Sequence, residues 1–210
     1  MTSTPRPVRT RKTAEERRTE ILRTAARLAL ERGLERVTMQ LVADELGVRP
    51  GLISHYFPTI DDLLCEAFVR AVARERAALL PEGEAALPST QRLSRLLHRL
   101  GGEEFTDLGR LWLNARHLAR YRPTLQRAVA GQEAIMRDTL TAVIEDGVRS
   151  DEFTTTDALG ACVVILVAID GLGSYVNDEP PFTHPALDTL VFTTAERELG
   201  LPAGVLRDAG

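Results

Sequence analysis

Between Thr38 and Tyr56 the chain gathers side chains that can bond a polar surface without breaking a covalent bond in it: Thr38, Gln40, Arg49, Ser54, His55 and Tyr56, interleaved with Pro50, Gly51 and Leu52. Hydroxyl, amide, guanidinium and imidazole groups in one short stretch suit the phosphates and base edges of a duplex, where the first fix position and the second carry sequence. Groups that do covalent chemistry are not arranged for it. No glycine-rich phosphate loop, Gly-x-Ser-x-Gly or His-Glu-x-x-His occurs. His55, His98, His117 and His184 share no metal-ligand spacing with Cys65 and Cys162. The pairs Asp61-Asp62 and Glu103-Glu104 are adjacent, so on a helix they diverge, and they suit first-turn acids that complement the helix dipole. The expectation is a protein that is not an enzyme and holds no metal or cofactor.

Local signals say how those side chains would be held. Thr38 is an N-cap, and Leu41, Val42 and Leu46 give the helix behind it an apolar face. Gly47 stands where the chain must leave that helix, and Val48 is expected to plug the corner. Pro50 suits the first position of a second helix, where a missing amide costs nothing. Ile53 and Phe57 point inward at i, i+4 spacing, which leaves Arg49, Gly51, Leu52, Ser54, His55 and Tyr56 outward. Pro58 ends this helix, and Thr59 with Asp62 forms a capping box that starts another. This is the pattern of a helix-turn-helix, whose second helix can enter a DNA major groove.

The rest of the chain reads as all-α, with about nine helices and no sustained β alternation. Thr13 and Glu16 cap a first helix striped by Ile21, Leu22, Ala25, Leu28 and Ala29 and ending at Gly33. The helix from Ile60 runs to about Leu80 and links a head to a body, with a loop at residues 81–88. Body helices are expected from Thr90 to Leu100, stopping at Gly101-Gly102, and from Glu103 to Tyr121. Two more run to Asp146, closed by Gly147, and from a cap at Thr156 to Val176. A proline-rich loop at residues 177–185 precedes the last helix, which ends at Gly200. The domain expectation is a basic, disordered arm at 1–12, a DNA-binding head with its linking helix at 13–80, and a helical ligand-binding and dimerisation body at 81–210.

The order Thr38, Val42-Ala43, Gly47-Val48, Gly51, Tyr56-Phe57, Leu63-Leu64, behind an amphipathic helix ending in Gly33, resembles the TetR family of transcriptional regulators. The resemblance covers about Thr13 to Arg76. It implies phosphate contacts from Thr38, His55 and Tyr56, and base-edge contacts from Gln40, Arg49, Pro50 and Leu52. The chemistry agrees: Gln40 can pair with an adenine edge, Arg49 with guanine, and Leu52 can touch a thymine methyl.

The body resembles the same family more loosely, through Gly109–Leu113, Ile144–Gly147 and Ile169–Leu172. That implies a homodimer in which the last two helices pair with their copies, through Leu159, Val163, Leu166 and Val167 on one and Leu187, Leu190, Val191 and Thr194 on the other. A helix apolar nearly all round, such as residues 159–169, needs cover on more than one side. At twelve residues, the apolar run 158–169 is too short for a bilayer and reads as a buried helix. The resemblance also implies a pocket for a small-molecule effector. Trp112, Arg116, His117 and Tyr121 on one helix, with Met136, Asp170 and Tyr175 on others, are the candidates to line it.

Charge is divided to match. Residues 1–56 hold eleven Lys/Arg against seven Asp/Glu, a net of +4, and the remainder is −8. A basic head on an acidic body suits a protein with one nucleic-acid face, and the overall −4 disfavours indiscriminate coating of DNA. At 210 residues and 44% hydrophobic, the chain can bury a substantial core. Two well-separated cysteines in apolar stretches and no leader-like N-terminus point to the cytoplasm. The partners expected are thus operator DNA, a second copy and a small effector, without a membrane. The competing reading is a helical small-molecule-binding or enzymatic protein in which the helix-turn-helix is only structural.

Two positions depart from the family pattern. Ser54 stands where an aromatic phosphate contact is common, and Ile60 where a lysine is common. Fewer ionic contacts release fewer counterions, so operator binding should weaken less with added salt than for a lysine-bearing relative. A salt titration of operator affinity checks this; an equally steep slope would contradict it.

Overall fold

The computed structural model describes residues 12–100, 106–176 and 182–209. Most of the basic arm, the Gly101-Gly102 stop, Glu103-Glu104 and most of the 177–185 loop lie outside the described residues. Among the described residues ten α-helices and two short 3-10 turns occur, with no strand. The helices are α1 (Ala14–Arg32), α2 (Met39–Leu46), α3 (Pro50–Tyr56), α4 (Ile60–Leu79), α5 (Ser89–Leu100), α6 (Thr106–Ala119), α7 (Pro123–Arg149), α8 (Ala158–Val176), α9 (Pro185–Leu199) and α10 (Val205–Asp208). The all-α expectation holds.

Local chemistry explains most of the starts and stops. Thr13 and Glu16 close a reciprocal capping box on α1, and Thr59 and Asp62 do so on α4. Gly47 takes the left-handed conformation, φ 62° and ψ 37°, so the chain turns out of α2 without the penalty a Cβ would bring. Gly200 does the same after α9. The start of α5 is capped from afar: both Glu152 carboxylate oxygens accept backbone amides, from Ser89 at 3.0 Å and Thr90 at 2.8 Å.

α4 is the spine. It packs on α1 at one end and on α7 along the body, and buries Leu63, Leu64, Ala67, Phe68, Ala71, Val72 and Leu79. The head closes around Ile21, Leu28, Leu34, Val42, Ile53 and Phe57, all almost wholly inaccessible. In the body α7 lies against α4, α5, α6 and α8, while α8 packs along α9.

Four details differ from the sequence reading. Asp157 caps α8, its carboxylate accepting the Gly160 amide at 2.8 Å; Thr156 does not. Gly147 does not close α7, which runs on to Arg149. It is buried there because the Phe153 ring lies against it, and a Cβ would overlap that ring. The short α10 was not foreseen. It is held by buried partners, Glu196 accepting the Leu206 amide at 2.9 Å and the Ser94 hydroxyl donating to the Leu206 carbonyl at 2.5 Å. Finally, α8 is not a buried helix in the single subunit. Only 17% of the residues in the stretch Ala158–Tyr175 are fully buried, and it is the one described helix long and apolar enough to cross a membrane.

Gly147→Ala measures how far packing overrides helix propensity. Propensity alone would favour alanine by about 1 kcal/mol. Overpacking a buried aromatic costs about 1–3 kcal/mol. Chemical denaturation should therefore show a net loss of stability; a gain would mean that the Phe153 contact is slack.

Candidate DNA interface and body cavity

The head presents α2 and α3 as the motif requires. The Thr38 hydroxyl accepts the Leu41 amide at 3.0 Å, fixing the start of α2. The Val48 amide donates to the Ala43 carbonyl at 3.0 Å, which locks the turn, and Pro50 begins α3. Val48 itself is half-buried against the core rather than a sealed plug. Ile53 and Phe57 sink fully into the head. Arg18 secures the underside of α3. Its guanidinium lies over the Phe57 ring, 4.8 Å from the centroid, and donates to both Glu66 oxygens at 2.6 and 2.7 Å.

All nine sequence-predicted contact residues remain accessible. Thr38, Gln40, Arg49, Gly51, Ser54 and His55 are exposed, while Pro50, Leu52 and Tyr56 are half-buried. Among the described residues Arg49 has no ion-pair partner, so its guanidinium is available to DNA. Gln40 is more constrained than its type suggests, because its amide donates to Asp44 at 2.7 Å. With one N–H engaged, the second N–H and the carbonyl oxygen remain unbonded. Asp44, one turn further along α2, was missed because an acid on a candidate DNA face looks like ordinary solvated charge.

Inside the body, α4, α5, α6, α7 and α8 enclose a cavity of about 130 Å³. Its walls are largely leucine, Leu79, Leu96, Leu108, Leu140 and Leu166 among them, with Ile169, Met136 and Trp112. Its ionisable lining is confined to Arg116, Glu133 and Asp170. Arg116 Nε donates to Glu133 at 2.9 Å, and its terminal nitrogen donates to Asp170 at 2.8 Å. The same guanidinium lies 5.1 Å from the Trp112 ring centroid. Burial alone would lower the Arg116 pKa, but the Asp170 and Glu133 carboxylates outweigh it and raise the value.

Of the seven sequence-predicted pocket residues, Trp112, Arg116, Met136 and Asp170 line this cavity. His117, Tyr121 and Tyr175 do not. His117 is one step round α6 from Arg116, exposed, and edge-on to Tyr121. Tyr121 lies beyond the end of α6 and is 74% exposed. Tyr175, in the last turn of α8, rests by Phe182. Glu133 was overlooked, although its i, i+3 relation to Met136 puts both on one face of α7.

Exposure also sorts the predicted dimer residues. Leu159, Val163 and Val167 form an exposed i, i+4, i+8 stripe on α8, and Leu190 is exposed on α9. Leu166 and Leu187 are half-buried. Val191 and Thr194 are buried in the single subunit, where α9 turns that side toward its neighbours. Among the described residues no His, Cys, Asp and Glu side chains cluster as metal ligands would. Both cysteines are buried free thiols whose pKa burial raises, so neither is an activated nucleophile.

A helix-turn-helix head on an all-helical body defines a class, the DNA-binding transcriptional regulators. Two family models narrow it. Residues 21–67 match the bacterial regulatory proteins of the tetR family, and residues 89–200 match the C-terminal part of BetI-type transcriptional repressors. The chain belongs to the TetR family of transcriptional regulators. Solved structures agree. A transcriptional regulator from Saccharomonospora viridis, in complex with choline, is 26% identical, with 87% of this chain and 95% of that one covered and a TM-score of 0.73. A TetR transcription regulator from Haloarcula marismortui is 25% identical over 88% and 95% of the two chains, with a TM-score of 0.69. A TetR-family regulator from Cytophaga hutchinsonii shares the fold at 14% identity, with a TM-score of 0.76 and 92% and 99% covered. A comparison with curated proteins found no match.

Proposed function

We propose that the protein is a ligand-responsive repressor that binds a palindromic operator as a homodimer and releases it when a small molecule enters the body cavity. In this reading residues 13–80 bind DNA, residues 81–210 bind ligand and dimerise, and the basic segment 1–12 follows the DNA backbone. The protein then works in the cytoplasm, where its operator is, and catalyses no reaction.

The observation that carries the proposal is the continuity of α4 between the two sites. Asp61 in its first turn, next to the helix-turn-helix, pairs with Arg122, the N-cap of α7. Phe68 meets Trp112 edge-on with ring centres 5.1 Å apart. Arg76 donates to the buried Gln132 at 2.9 Å, and Leu79 lines the cavity. A ligand that pushes α6, α7 and α8 apart therefore bears on the same helix that carries the head. Tight binding would not suffice; the ligand must prefer the conformation that DNA disfavours. The choline held by the Saccharomonospora viridis regulator supports a small-molecule occupant.

The bare α8 stripe supports the dimer. Leu159, Val163 and Val167 are 51%, 44% and 64% exposed on a helix otherwise packed against the body, and a second copy would cover them. Two recognition helices then meet half-sites roughly 34–36 Å apart, or a multiple of that.

Selection from random duplexes, followed by fluorescence polarisation, tests this. The expected result is a palindromic site bound below micromolar concentration, with a Val163→Asp/Val167→Asp variant that is monomeric, folded and weakened on DNA. Selection that yields no sequence would instead favour the helical binding or enzymatic protein with a merely structural motif.

A further inference from the structure

We infer that Asp44 sets the base preference of Gln40, by holding one of its two amide N–H groups so that the side chain pairs with adenine and refuses guanine. The inference deepens the proposal above and rests on its reading of α2 and α3 as the face that meets operator DNA.

Two adjacent acids on α2 are placed in opposite ways. Glu45 is drawn back onto α1, where Arg27 donates to it at 2.5 Å and Arg32 lies 4.0 Å away. Asp44 is exposed, and among the described residues no cation pairs with it. A bare carboxylate on a surface that must approach phosphates costs affinity through repulsion. Among the described residues its side chain bonds Gln40 alone, one turn back on the same face, whose amide donates to it at 2.7 Å.

That bond decides which groups Gln40 offers a base. An amide side chain can be flipped with little change in shape, which exchanges its oxygen and its nitrogen. An ionised carboxylate accepts and cannot donate, so only the orientation that gives it the nitrogen is bonded. The groups left over are one N–H and the carbonyl oxygen. Adenine presents their complement in the major groove, the N7 acceptor and the N6 amino donor. Guanine presents two acceptors, N7 and O6, and a Gln40 with one N–H committed cannot donate to both. The charge acts in the same direction, since the carboxylate repels guanine O6 and favours the adenine amino group.

In water an i, i+4 bond of this kind is weak. Against a base edge, with water excluded, a hydrogen bond to an ionised group strengthens. Asp44 is thus a positioning residue: it gives up affinity common to all sequences and gains discrimination at one base pair.

Selection from random duplexes on the full chain, with Gln40→Ala run beside the unaltered protein, finds the base pair that Gln40 reads as the position whose preference the variant loses. Adenine is expected there. Dissociation constants are then measured for the selected duplex and for the same duplex with that A·T pair changed to G·C. Asp44→Ala, at an exposed position, should keep the helical circular dichroism of the parent and narrow the adenine-over-guanine ratio by roughly tenfold. Its affinity for non-specific duplex should rise. In a Gln40→Ala background, Asp44→Ala should leave the ratio unchanged, because its effect passes through Gln40. Asp44→Asn separates geometry from charge: its oxygen still accepts from Gln40, so it should keep more of the ratio than alanine does. No preference lost in Gln40→Ala, guanine at the Gln40 position, a ratio unchanged by Asp44→Ala, or an equal narrowing without Gln40 overturns the inference. A parent chain that selects no sequence overturns the repressor proposal, and this inference with it.

Discussion

Phe68 is wholly buried on α4 and stands edge-on to Trp112 of α6, and the rest of the molecule is arranged around that contact. One end of α4 is packed into the head against α1, and its other end closes the body cavity. A helix packed along one face against both head and body resists bending gradually around a new side chain or ligand. Packed interiors transmit displacement because they have few empty places to absorb it. The head and the cavity are therefore joined by one helix of 20 residues with aromatic and ionic contacts at intervals.

Polar bonds set the register of that coupling. The Arg18–Glu66 pair ties α1 to α4 with its guanidinium over Phe57 at the end of α3, and Arg122–Asp61 ties the start of α7 to the first turn of α4. Partly exposed pairs of this kind contribute modestly to stability. Their value is directional: they specify which turn of one helix faces which turn of another. The energy comes from the apolar faces they align.

The sequence was most legible where the signal is local. The capping boxes at Thr13 and Thr59, the left-handed Gly47 and the leading Pro50 depend on neighbours within four residues, and each is found as read. Legibility failed where a distant residue decides. Gly147 carries the local sign of a helix stop, but its smallness serves the Phe153 ring. α10 exists because Glu196 and Ser94 hold it, and neither lies near it in sequence. In the cavity, residue type misled. The aromatic groups of Tyr121 and Tyr175 suggested a pocket, whereas angular position on the helix decides membership, and by that criterion Glu133 belongs and His117 does not.

Coupling between the cavity and the DNA face is the central claim, and thermodynamic reciprocity offers a direct test of it. If a ligand weakens operator binding by some factor, the operator must weaken ligand binding by the same factor. The measurement is the dissociation constant of choline, the ligand held by the Saccharomonospora viridis regulator, read from Trp112 emission, in free protein and in protein saturated with its selected operator duplex. A weaker constant on the operator, matched by an equal loss of operator affinity at saturating choline, is the predicted result. Identical ligand affinity in the two states would contradict the account, because a cavity indifferent to DNA cannot regulate its binding.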